Sequence, residues 1–157
     1  MNTTLTRGQA LDTINFAIEN FINEIEVSDL DIEAITYAVN SDLQIRDYFL
    51  GLPADFGMGV SVDFVNYLSR MTNMNECYAY DTISAMYQIE LENTEFAKSL
   101  LAIAEVANPN YNLIKLAKRV IAAEWPGSAL TTMREELHSK VVAGIAEDSD
   151  YVIGSEE

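Results

Sequence analysis

His138 is the single histidine of the chain and Cys77 its single cysteine. A nucleophilic triad or a histidine-based metal site would therefore rest on one imidazole. His138 falls near the end of the last helical pattern, close to Lys140, where an imidazole at the surface suits the helix dipole. Cys77 has no histidine beside it in sequence and reads as a structural thiol. Asp29-x-Asp31-x-Glu33 begins like a calcium loop, but Ala34 stands where that loop needs glycine and Asn40 where it needs glutamate. These carboxylates suit a helix N-terminus instead. Gly51, Gly57 and Gly59 are followed by no lysine and preceded by no strand, unlike a phosphate loop. Glu135 and Glu136 are adjacent on a helix and point apart. These residues assign no catalytic group, no metal site and no cofactor.

Charge is more informative. The chain carries −16, which repels a nucleic-acid backbone or an anionic membrane. Residues 1–97 hold 16 acids and 3 bases, residues 98–146 hold 4 and 6, and residues 147–157 hold 5 acids and no base. The one basic ridge is Lys115, Lys118 and Arg119. It reads as a solvated face or as a contact for an acidic partner, including the acidic half of a second copy. Tyr37, Tyr48, Tyr67, Tyr78, Tyr80 and Tyr87 divide between core and a binding surface, with core the simpler reading.

The elements that position these residues are helical. Leu11, Ile14, Ile18, Phe21, Ile22 and Ile25 share one face of a helix over roughly 6–26. Ser28-Asp29 caps a shorter helix, and Ser41-x-x-Gln44 has capping-box spacing for a third that stops at Gly51. The segment 51–59, with three glycines and a proline, reads as a mobile loop. Val60, Phe64, Tyr67, Leu68 and Met71 form a fourth stripe, and a fifth helix spans about 76–91 with Ala79, Ile83, Met86 and Tyr87 inward. Phe96, Leu100, Ile103, Ala104 and Ala107 predict the buried face of a sixth, capped by Asn93-Thr94. Leu113, Leu116, Ala117, Val120 and Ile121 predict that of a seventh, with Trp125-Pro126-Gly127 ending it. Leu130, Met133, Leu137 and Val141 mark a last helix to about Ile145. No segment alternates with period two, so the class is all-α: a compact multi-helix bundle of seven or eight helices.

At 157 residues the chain is one domain, large enough to fold without metal or disulfide. We expect a single helical domain over 1–146 and a flexible acidic tail over 147–157. The lone cysteine, the lack of a leader-like start and the lack of a spanning apolar run predict a cytoplasmic protein with no membrane contact.

Residues 78–111 fit one tetratricopeptide-like hairpin, with Ala85, Ala97, Leu101, Ala104 and Pro109 at the expected spacing. A shift of 34 residues finds no second copy, so the hairpin belongs to a bundle and not to an array. The stretch Phe96-Ala97, Leu100-Leu101, Ala104, Pro109-Asn110-Tyr111, Leu113, Leu116-Ala117 and Trp125-Pro126, continued by Met133–His138, resembles a domain of unknown function found in actinobacteria and their phages. The resemblance runs from Tyr78 to Val142 and lacks the glycine-rich turn of such relatives at 91–94. It implies an actinobacterial or phage origin and brings no catalytic residue.

The expected function is a non-enzymatic protein-interaction module, such as a phage accessory protein acting on a host or defence component. One alternative is a small helical enzyme or ligand-binding protein, with a pocket where several of Arg46, Asp47, Tyr48, Tyr80 and His138 converge. The other is an acidic nucleic-acid mimic.

Overall fold

The computed structural model describes residues 4–155. Among them lie eight α-helices and no strand beyond one isolated bridge. In order they are α1 (Arg7–Ile22), α2 (Asp29–Ser41), α3 (Leu43–Phe56), α4 (Met58–Arg70), α5 (Tyr78–Glu90), α6 (Thr94–Ala107), α7 (Asn112–Ala122) and α8 (Gly127–Glu147). None is long and apolar enough to cross a membrane.

The bundle is built around α5, which is buried everywhere except at Tyr78, Met86 and Glu90. A helix buried on all sides must lie between other elements. On one side α1 to α4 form the larger core, with Ile14, Ile35, Phe49, Phe64, Tyr80 and Ile83 at its centre. On the other, α6, α7 and the start of α8 form a smaller core around Ala85, Ile89, Leu101, Ile114 and Val120.

Side-chain caps set the first three helix starts, while α4 to α8 have none, and the expected cap Asn93 donates its side-chain amide to Gln88 instead. Thr6 and Gln9 form a reciprocal capping box at α1, at 3.1 and 2.9 Å. The Ser28 hydroxyl accepts from the Asp31 N–H at 3.1 Å, with Asp29 and Asp31 in the favourable first turn of α2. At α3 the cap is Asp42, which accepts from the Ile45 N–H at 3.1 Å, and not the expected Ser41. Asp42 is held in place by the Arg7 guanidinium, which donates to both of its oxygens at 2.8–3.0 Å.

Three helices end alike. After α1, α5 and α7, Glu24, Glu92 and Glu124 take left-handed φ values of 60°, 65° and 55°. The amide that follows each reaches back five residues (Ile25 to Asn20, Asn93 to Gln88, Trp125 to Val120), which is the Schellman closure normally given to glycine. Because no glycine marks these ends, the sequence overran the first helix, expected to about 26 and closed at Ile22.

Gly51 does not stop α3, and 51–59 is not a loop. The helix runs through Gly51 and Pro53 to Phe56, and Gly57, at φ 85°, is the only break before α4. Gly51 serves contact: a Cβ there would fall on the imidazole of His138. Pro53 cannot return an N–H to the Phe49 carbonyl four residues back. The Tyr87 hydroxyl, from α5, donates to that carbonyl instead.

The buried face of α6 is also corrected. Ala97, Leu101 and Ala104 face inward, while Phe96 and Ile103 are half exposed and Val106 is 88 % exposed. The alanines allow α6 to approach α5 closely, forming the most extensive helix pair in the fold. Phe96 and Ile103 in that gap would force the two axes apart.

The tail expected to be loose is packed over its described part. Thr6 pairs with Val152 in an antiparallel bridge, the Ile153 N–H donates to the Leu5 carbonyl at 2.9 Å, and Ile153 is buried. The Arg7 guanidinium stacks on Tyr151 at 4.2 Å. The apolar pair Val152-Ile153 inside an acidic segment carries the docking.

Candidate functional site

α7 and α8 lean on α5 from two sides and make at most a marginal contact with each other. Between them lies a cleft of about 270 Å³. Arg46, Asp47, Leu50 and Gly51 of α3 and Met86, Tyr87 and Glu90 of α5 form its floor. Leu116 forms the α7 wall, and Leu130, Met133, Arg134, Leu137, His138 and Val141 form the α8 wall. Leu116, Met133 and Leu137 remain 40 %, 37 % and 46 % exposed around this concavity. The sequence placed all three in the core. They face the core side of their helices, but no element closes over them.

An ion pair crosses the cleft floor. The Arg134 guanidinium donates to Glu90 Oε1, and both side chains are 11 % exposed. Thr131 donates to the other Glu90 oxygen at 2.6 Å, and Arg134 Nε donates to the Leu50 carbonyl at 3.3 Å. Two charges taken from water need this degree of pairing. The helical pattern held a signal for Arg134: it sits between Leu130, Leu137 and Val141 on an apolar stripe, where an arginine needs a partner.

His138 is not at the surface. It is 9 % exposed, with Nε2 2.9 Å from Asp55 Oδ2 and its ring 5.8 Å from that of Tyr48. The expected helix-end position fails because α8 continues nine residues beyond it, to Glu147, and α3 lies across it. A carboxylate only accepts, so Nε2 carries the hydrogen shared with Asp55, and Nδ1 has no hydrogen-bond partner.

Of the five residues expected to converge, Arg46, Asp47 and His138 line the cleft. Tyr48 stands behind His138 and donates to Asn15 at 2.6 Å; burial, then the Asp55 charge, raises its pKa. Tyr80 lies in the larger core, 2.9 Å from the Thr36 hydroxyl. Cys77 is buried beside Asp81, at 3.5 Å, and burial followed by that charge raises its pKa. Such a thiol is a poor nucleophile. Among the described residues, no group of three or more His, Cys, Asp or Glu side chains is placed to hold a metal.

The basic ridge divides. Lys118 pairs with Glu105 of α6 at 2.7 Å and faces away from the cleft. Lys115 and Arg119 are exposed, and Arg119 lies one turn along α7 from Leu116, on the cleft side. Comparison of the chain with protein-family models, with curated proteins and with solved structures gives no match.

Proposed function

We propose that this protein is a non-enzymatic interaction module whose α7/α8 cleft receives apolar side chains of a protein partner. The observation that carries the reading is the half-exposed trio Leu116, Met133 and Leu137 lining a concavity. Apolar side chains gathered in a groove are the usual seat for a partner's anchors. The resemblance over residues 78–142 supplies the setting we propose, a phage accessory protein acting on a host or defence component. We read α5 and α6 as a tetratricopeptide-like hairpin on the close approach of Ala97 and Ala104.

The test is selection of a displayed helical-peptide library against the protein, with Leu137→Asp as counter-target. Selected peptides should carry apolar residues three or four apart and should lose binding to Leu137→Asp. Peptides that bind both proteins equally would refute the cleft as the seat.

The second reading, a small-molecule site, is favoured by Arg134 and His138 on the cleft walls. The volume, about 270 Å³, falls just under the ~300–1,000 Å³ of ordinary ligand pockets, so partner side chains are the better fit. Native mass spectrometry of protein purified from its own cells would reveal a retained ligand as added mass.

A further inference from the structure

We infer that the cleft takes an acidic amphipathic helix, an inference that rests on the cleft being the interaction site. Although the chain is at −16, the charges lining the cleft balance, Arg46 and Arg134 against Asp47 and Glu90. Arg46 and Arg134 are neutralised in place, by Asp47 at 2.8 Å and by Glu90. Lys115, Arg119 and Lys140 are exposed and make no ion pair among the described residues.

Their placement follows from helix geometry. Arg119 lies three residues on from Leu116, and Lys140 three on from Leu137, so each base sits one turn from an apolar wall residue on the same face. Glu136, three on from Met133, is the acid that shares this face of α8. The cleft thus has an apolar interior, an unneutralised basic edge on α7 (Lys115 and Arg119), and an α8 edge where Lys140 is balanced by Glu136.

The net negative charge does not cancel this preference. Between exposed charges, attraction and repulsion are largely screened beyond about 8 Å at physiological salt, and the acids of the cleft floor, Asp47 and Glu90, are already paired with Arg46 and Arg134, so the α7 edge governs a docked segment. A helix laid along the cleft would place apolar residues at i, i+3, i+4 and i+7 between the walls. Its carboxylates on the α7 side would then reach Lys115 and Arg119.

The experiment uses the full chain and two designed helical peptides with identical leucine positions, one with glutamate and one with lysine at the flanking positions. Binding is measured by fluorescence anisotropy at physiological and at high salt. The glutamate peptide should bind about three- to tenfold tighter at physiological salt, as a few exposed ion pairs allow, and high salt should narrow the gap. Lys115→Glu/Arg119→Glu, its fold checked by circular dichroism, should erase or invert the preference. Equal binding of both peptides, lost in Leu137→Asp, would overturn the charge inference and leave the cleft standing. Failure of both peptides to bind, or binding unchanged by Leu137→Asp, would overturn both.

Discussion

Tyr87 on α5 supplies to α3 the hydrogen bond that Pro53 removes, because its hydroxyl donates to the Phe49 carbonyl that the proline leaves without a helical donor. This contact lets a proline sit inside a continuous helix and fixes α3 against the central helix. Tyr87→Phe should cost about 1–3 kcal/mol by leaving a buried acceptor unpaired. Pro53→Ala restores the backbone donor, so it should recover more stability in the Tyr87→Phe background than in the wild type. Urea denaturation of the four proteins in this cycle measures the coupling; strict additivity would refute it.

The three glutamates in left-handed conformation predict gains. Glu24→Gly, Glu92→Gly and Glu124→Gly each relieve a side chain of an unfavourable φ. Each should raise stability, by up to about 1 kcal/mol, read as a rise in thermal midpoint. A fall at all three would contradict the strain argument.

Arg134 and Glu90 predict an asymmetry. Arg134→Ala or Glu90→Ala leaves one buried charge unpaired and should cost about 3–5 kcal/mol. The double replacement Arg134→Met/Glu90→Met removes both charges and should recover most of that loss. Chemical denaturation decides, and a double variant as unstable as the sum of its singles would count against the pair.

Alkaline pH should unfold the protein. Burial raises the pKa of Tyr48, Tyr80 and Tyr87, and pushes Tyr111 up to about 12; burial also raises Cys77. In the unfolded chain these groups lose protons near their ordinary values, about 10 for tyrosine. Above that pH the unfolded state binds fewer protons than the native state, so stability falls as pH rises through the raised values. The part of the tyrosinate absorbance due to these four of the eight tyrosines should therefore appear together with loss of helix, whereas ionisation of all eight in an intact fold would refute this. Tyr111→Phe removes a buried hydroxyl that has no partner and should leave stability at neutral pH unchanged or improved, unlike Tyr87→Phe.

Sequence periodicity revealed the all-α class and most helices because apolar stripes and side-chain caps are local. It misplaced α6 because that helix has two apolar faces, and only its partner α5 selects the small one. It broke α3 at Gly51 and Pro53 because the contacts that tolerate them, His138 and Tyr87, lie 87 and 34 residues away in the chain. The cleft was half legible. Arg134 on an apolar stripe and the Lys115–Arg119 ridge are visible in sequence, but the gap that leaves Leu116, Met133 and Leu137 uncovered depends on how far α7 and α8 diverge.

The bridge between Thr6 and Val152 closes the described backbone between them almost into a ring. Two segments that already pair can be joined there by a short link and the chain reopened elsewhere. The exposed turn at Pro109–Asn110, between α6 and α7, is a natural place for the new ends. Such a permutant would begin with α7 and α8 and finish with α5 and α6, so the two flanks of the smaller core would come from opposite ends of the chain.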